Sequence, residues 1–232
     1  MLNKLGLITY YGLNFLSDIC ELQDEMIPYT KRSYERFFTI KTIYELKSSL
    51  TWYLNWKEYN DNQIGFPLVS KKENKGYEFF NGKGIIEGVF WGGCLESIFD
   101  IYTSERYNDQ RSVYEKYNLI PSPDFFKDKI LFLETSEEKP KPEKFAKMID
   151  LLIKEQILIN IKCLLVCKPD DEIYYDEYKE ILTKKTKELN LPFVYNLNFG
   201  QELPRNFIPY GIKGEVDFKQ RKIFINENIF KN

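Results

Sequence analysis

Histidine is absent from all 232 residues. That removes the side chain most often used as a general base near neutral pH, and with it the commonest nitrogen ligand of zinc. An excess of charge is missing too. Thirty-three Lys and Arg stand against 35 Asp and Glu, a formal charge of -2, so there is no electrostatic case for a nucleic-acid partner. No apolar run approaches the roughly 20 residues a membrane span needs. The opening stretch, Met1 to Gly6, lacks the apolar core and cleavage site of a secretory signal, and a cytoplasmic location without membrane partners is expected. Cysteine is sparse and scattered, at Cys20, Cys94, Cys163 and Cys167. Strand alternation puts Cys163 and Cys167 on one face, but a four-thiolate site would need Cys20 and Cys94 to converge on them. All four read as buried free thiols; no metal and no other cofactor is expected.

What is present suits a folded chain. With 43% apolar and 16% aromatic residues the sequence can fill a core, and its length fits one large domain or two small ones. Leu5 to Gly12 is a β-rich apolar run closed by glycine. Between residues 31 and 60, Tyr34, Phe37 and Phe38, then Ile43, Leu46 and Leu50, recur at spacings of three and four, which predicts helix. Trp52 and Trp56, four apart, would share one helix side, as an aromatic core stripe or as a surface for stacking on a ligand. A Lys-, Asn- and Gly-rich stretch reads as a linker. The boundaries drawn are 1–70 for a first unit, 71–84 for the linker and 85–232 for a second unit.

The second unit alternates strands and helices, which implies α/β architecture. After Pro140 and Pro142, Phe145, Met148, Ile149 and Leu152 share one helix face. Ile161 to Cys167 reads as a central strand, and Tyr174, Tyr178, Ile181 and Leu182 mark a second helix. Phe193-Val194-Tyr195 and a terminal hairpin, Gly214–Val216 with Lys222–Ile225, complete a mixed sheet. The acidic clusters Glu137-Glu138 and Asp170-Asp171-Glu172 read as solvated surface.

Two stretches organise this pattern. Lys129-Ile130-Leu131-Phe132-Leu133-Glu134 is a short apolar run ending in a carboxylate, a buried strand that would deliver Glu134 to the C-terminal edge of the sheet. In open α/β sheets that edge collects ligands and catalytic groups. Asn198-Phe199-Gly200-Gln201 is a Gly-centred turn that could bring a polar side chain to the same edge. Together with Gly92-Gly93-Cys94-Leu95 upstream and Ile208-Pro209-Tyr210-Gly211 downstream, these motifs resemble the LD-carboxypeptidase and microcin-immunity family of serine peptidases. The resemblance runs over most of the chain. It implies a C-terminal α/β domain of the LD-carboxypeptidase type preceded by a partial N-terminal α/β domain.

It also implies roles. The family triad is Ser-His-Glu, and Glu134 stands at the acid. Gln201 stands where the family has His, and the stretch that carries the nucleophilic Ser falls before Met1. Gly92, Gly93 and Cys94 correspond to a turn that builds the substrate pocket. Ser17, in Leu16-Ser17-Asp18-Ile19, resembles the nucleophile elbow but lies on the wrong side of Tyr10-Tyr11-Gly12; it reads as a helix N-cap with Glu21 in the first turn. Because glutamine cannot shuttle a proton at neutral pH, the resemblance implies a hydrolase fold with its chemistry removed. Such a chain would keep a pocket for a murein peptide or an aminoacyl-nucleotide-like ligand. Two alternatives stand beside this reading. One is an active serine-type carboxypeptidase complemented by a separate N-terminal piece. The other is a non-catalytic binding or interaction module, with a homodimer as its expected form.

Overall fold

Apolar runs and helical periodicities alternate along the chain, and they become strands and helices in turn. In the computed structural model, which describes residues 2–38, 43–56, 58 and 60–228, the first strands are short: β1 (Thr9–Tyr11), β2 (Tyr44–Glu45), β3 (Thr51–Tyr53), β4 (Ser70–Lys72) and β5 (Glu78–Phe80). Longer ones follow as β6 (Ile85–Cys94), β7 (Lys129–Glu134), β8 (Cys163–Cys167) and β9 (Phe193–Leu197). The last are β10 (Ile208–Tyr210), β11 (Lys213–Asp217) and β12 (Lys222–Ile225). The α-helices are α1 (Pro28–Glu35), α2 (Leu95–Thr103), α3 (Gln110–Lys116), α4 (Pro142–Lys154), α5 (Ile157–Asn160) and α6 (Tyr175–Glu188).

Eight strands form one mixed sheet in the order β2-β12-β11-β6-β7-β8-β9-β5. Its centre, β6 to β9, is parallel, and the flanking pairs are antiparallel. Every residue of β7 is buried, as a parallel strand covered on both faces requires. Alternation sorts its side chains. Leu131 and Leu133 join Leu164, Val166, Phe193 and Tyr195 under the helices, where α4 supplies Phe145, Met148, Ile149 and Leu152. Ile130 and Phe132 face the other way, towards Phe199, Phe207 and Ile208, with Ile8, Tyr10 and Tyr11 packed on the outside. Burying one such side chain stabilises the fold by about 1.5–3 kcal/mol. Pro142 at the first turn of α4 costs no helical hydrogen bond there.

Strands also arrive from outside the second unit. β2 lies on one sheet edge against β12 and β5, within residues 71–84, on the other against β9. β1 pairs with β10, and β3 with β4. No helix among the described residues is long and apolar enough to cross a membrane.

Several local expectations are corrected. Among the described residues of 31–60, helix is confined to the end of α1 and a short 3-10 turn, Arg36–Phe38. Ile43, Leu46 and Leu50 lie on extended chain, because the Leu46 amide bonds the Ile223 carbonyl at 2.8 Å and pairing with distant strands overrides a weak periodicity. Trp52 is buried on β3 and Trp56 follows beyond its end, so no helix face carries both. Ser17 caps no helix; it sits inside a single π-turn, Phe15–Ile19. Cys20 is exposed and Cys94 half-buried, while Cys163 and Cys167 are buried: the last two lie on β8, covered along its whole length, whereas Cys94 ends β6 at the cleft and Cys20 lies outside the sheet. Tyr174 adopts a left-handed conformation just before α6 rather than lying in it. Asp170 is 5% exposed and therefore not solvated surface: it follows β8 into the protein and finds partners there.

Candidate ligand-binding and active site

β6 and β7 run parallel in a register that sets Cys94 opposite Glu134 at their C-terminal ends. Alternation continues from Ile130 and Phe132, so Glu134 points to the face where β1 lies. There Tyr11 donates its phenolic hydrogen to Glu134 Oε1. Glu134 is 2% exposed, and its second oxygen, Oε2, is buried without a hydrogen-bond partner among the described residues. The turn after β9 closes on it. At Gly200, with φ of 88°, an added Cβ would lie 2.8 Å from Glu134 Oε2 and 2.7 Å from its Cβ. Only glycine fits that approach.

Burial dominates the chemistry of this carboxyl. It pushes Glu134 up to about 7, against the pull of the Tyr11 hydrogen bond and with help from the nearby Glu96 carboxylate. Tyr11 is pushed above its ordinary range in turn, first by burial and then by Glu134. The Cys94 thiol rises to about 11, through burial and Glu96, so little thiolate forms at neutral pH. Glu96, in the first turn of α2, accepts from the Ser136 amide at 2.9 Å and the Ser136 hydroxyl at 2.8 Å.

These groups open into a cleft of about 550 Å³ lined by Cys94, Glu96, Ser97, Glu134, Ser136 and Gln201, with Arg106 and Lys144 at hand. Glu134, Cys94 and Gln201 are thus brought together. Gly92 and Gly93 stand behind the lining rather than in it. A Cβ at Gly92 would sit 1.8 Å from the Phe132 carbonyl oxygen, and the Gly92 carbonyl accepts from the Tyr210 hydroxyl at 3.1 Å. Gln201 is held through its backbone. Its carbonyl accepts from Asn55 Nδ2 at 3.3 Å and from the Arg205 guanidinium.

Ser17 is elsewhere. Its hydroxyl accepts from Arg205 Nη1 at 2.9 Å, beside Asp18, whose Oδ2 lies 3.0 Å from the same nitrogen. Arg205 and Asp18 are 3% exposed each, and together they clasp the N-terminal segment to the turn that carries Gln201. Sequence reasoning missed Tyr11, Glu96, Asn55 and Arg205 as neighbours of this site. Glu96 alone left a signal, two residues beyond the Gly-Gly-Cys turn and at the start of a helix.

Comparison with known proteins gives this geometry a context. Residues 87–216 match the LD-carboxypeptidase C-terminal domain. The chain is 24% identical over 236 residues to the microcin C7 self-immunity protein MccF of Escherichia coli, covering 97% of this chain and 60% of that protein. An MccF-like protein from Streptococcus pneumoniae, solved in complex with AMP, superposes with a TM-score of 0.91 at 41% identity, over 98% of this chain and 66% of that one. MccF in complex with aspartyl sulfamoyl adenosine gives a TM-score of 0.75 at 22% identity, over 99% and 64%. The chain therefore spans less than two thirds of the length of these relatives.

Proposed function

The chain belongs to the LD-carboxypeptidase family, and from that premise we propose that it binds an aminoacyl-nucleotide-like ligand in the Glu134 cleft without hydrolysing it. The observation that carries this reading is the state of Glu134. In the family's triad the acid orients an imidazole that takes the proton of the nucleophile. Here Glu134 Oε1 accepts from Tyr11, and the neighbouring turn offers Gln201, which can hold a carbonyl or an amine but relay no proton near neutrality. AMP in the Streptococcus pneumoniae relative and the aminoacyl sulfamoyl nucleoside in MccF support a nucleotide-bearing ligand over a murein peptide. On the same reading residues 1–70 belong to the family's N-terminal domain, 71–84 are a linker and 85–232 the C-terminal domain, in a cytoplasmic protein.

Calorimetric titration with AMP, a sulfamoyl aminoacyl adenosine and an LD-linked muropeptide tests the ligand, and chromatography of an incubated aminoacyl adenylate tests turnover. Saturable binding of the nucleoside ligands with no product is expected. Product released by the wild-type chain, and lost in Glu134→Gln, overturns the silent reading; binding of the muropeptide alone overturns the ligand class.

A second reading, self-association through the N-terminal segment, is favoured by the exposure of Leu5, Phe15, Leu16, Phe38 and Leu50. Sedimentation across a concentration series decides it: a mass fixed at one copy would exclude the homodimer.

A further inference from the structure

Next to the turn that carries Gln201, three carboxylates converge just past the ends of β8 and β9. Asp170, Asp171 and Glu202 each offer an oxygen within 4.8 Å of the other two. Asp170 is 5% exposed and Glu202 1%. Glu202 Oε2 accepts from the Asp171 amide at 2.5 Å. Its other oxygen, Oε1, is buried and has no hydrogen-bond partner among the described residues. A buried acceptor left in that state costs the fold about 1–3 kcal/mol, more when charged.

The cations around this cluster do not balance it. Lys139 Nζ lies 3.0 Å from Asp170 Oδ2 and 2.6 Å from Asp171 Oδ2. Asn55 Nδ2 donates to Asp170 Oδ1 at 2.6 Å but brings no charge. Lys168, fully buried, spends its ammonium on Glu73 at 2.8 Å and Glu172 at 2.6 Å. Among the described residues, three carboxylates thus share one ammonium of their own.

We propose that Asp170, Asp171 and Glu202 form a site for one hard divalent cation of the calcium, manganese or magnesium class, which displaces the Lys139 ammonium. Oxygens up to 4.8 Å apart can share one ion, because two ligands on opposite sides of a calcium ion at about 2.4 Å span the same distance. All the donors are oxygens, which suits hard cations and disfavours thiolate-seeking metals. Lys139 is 29% exposed at its side chain, so its ammonium can swing into water when an ion arrives. The ion would then bond the orphaned Glu202 oxygen, which Lys139 leaves unpaired. Because Asn55 bridges Asp170 and the Gln201 carbonyl, a filled site would also fix the turn beside the cleft. This site is independent of the function proposed above.

The test uses the full chain, stripped with EDTA and titrated calorimetrically with MnCl2, CaCl2 and MgCl2, with the bound fraction of manganese read by electron paramagnetic resonance. One saturable site per chain is expected. Glu202→Gln should weaken it at least tenfold, and Lys139→Met, which removes the internal competitor, should tighten it at least tenfold. Glu137→Gln, an exposed acid outside the cluster, should leave it unchanged. Absence of one-to-one binding in both the wild type and Lys139→Met overturns the proposal, as does equal weakening by Glu137→Gln. Should Glu202→Gln fail to fold, the gain of affinity in Lys139→Met still decides.

Discussion

The central sheet and the segment before it bury apolar surface in different ways. β7, β8 and β9 are buried along their whole length, with helices on one face and folded-back chain on the other. Among the described residues of 2–70, strands are two or three residues long and none is buried throughout. The most exposed large apolar side chains, Leu50 at 84% and Leu16 at 73%, lie here. The sheet is held by many interchangeable apolar contacts, whereas the segment adds to fewer apolar ones a small set of polar ties: the Arg205 clasp, the Tyr11 bond to Glu134 and short strand pairings. A fold secured in the first way loses stability in proportion to volume removed; one secured in the second fails at single atoms.

Four measurements would sharpen or break that contrast. Phe132→Ala, at a position with no exposure, should cost about 3–5 kcal/mol in chemical denaturation; a loss below about 1 kcal/mol would mean the sheet is not the stabilising body. Asp18→Ala leaves the Arg205 charge buried and uncompensated. It should cost about 3 kcal/mol and expose residues 2–30 to limited proteolysis while fragments of the sheet survive. Uniform digestion would merge the two regions into one cooperative unit.

The third is a pH effect. Glu134 ionises near 7 when folded and near 4.3 when unfolded. Between those values the folded chain keeps a proton that the unfolded chain has released. Stability from this group is therefore full below about 4.3 and is lost as pH rises to about 7, by at most about 4 kcal/mol. Glu134→Gln should flatten that slope in melts recorded from pH 5 to 8; an unchanged slope would assign it to other groups. The smallest effect is expected at the surface. Leu50→Ser should shift stability by no more than about 0.5 kcal/mol while reducing any concentration-dependent association seen in sedimentation.

The sheet was legible in the sequence because its signals are local. Six consecutive residues from Lys129 to Glu134 state both a buried strand and the carboxylate at its end, and the spacing of Phe145, Met148, Ile149 and Leu152 states the helix that covers it. The stretch from Ile43 to Trp56 was misread for the opposite reason. The spacing of Leu46 and Leu50 fits a helix, but the backbone of Leu46 is committed to Ile223, a partner no local window contains. Asp170 was taken for surface because three acids in a row usually are; its burial depends on Lys139 and Asn55, far away in sequence. The cleft was legible in part. Glu134, Cys94 and Gln201 could be named from motifs, whereas Tyr11 meets Glu134 only through the pairing of β1 with β10.

That pairing also sets an order of events on the ribosome. Residues 9–11 bond residues 208–210, and residues 44–45 bond residues 224–225, so these strands are made long before their partners. At roughly 5–20 residues per second, about ten to forty seconds pass between the emergence of Tyr11 and that of Ile225. Throughout that interval Tyr11 and Tyr44 travel on a nascent chain whose strands for them have yet to be completed.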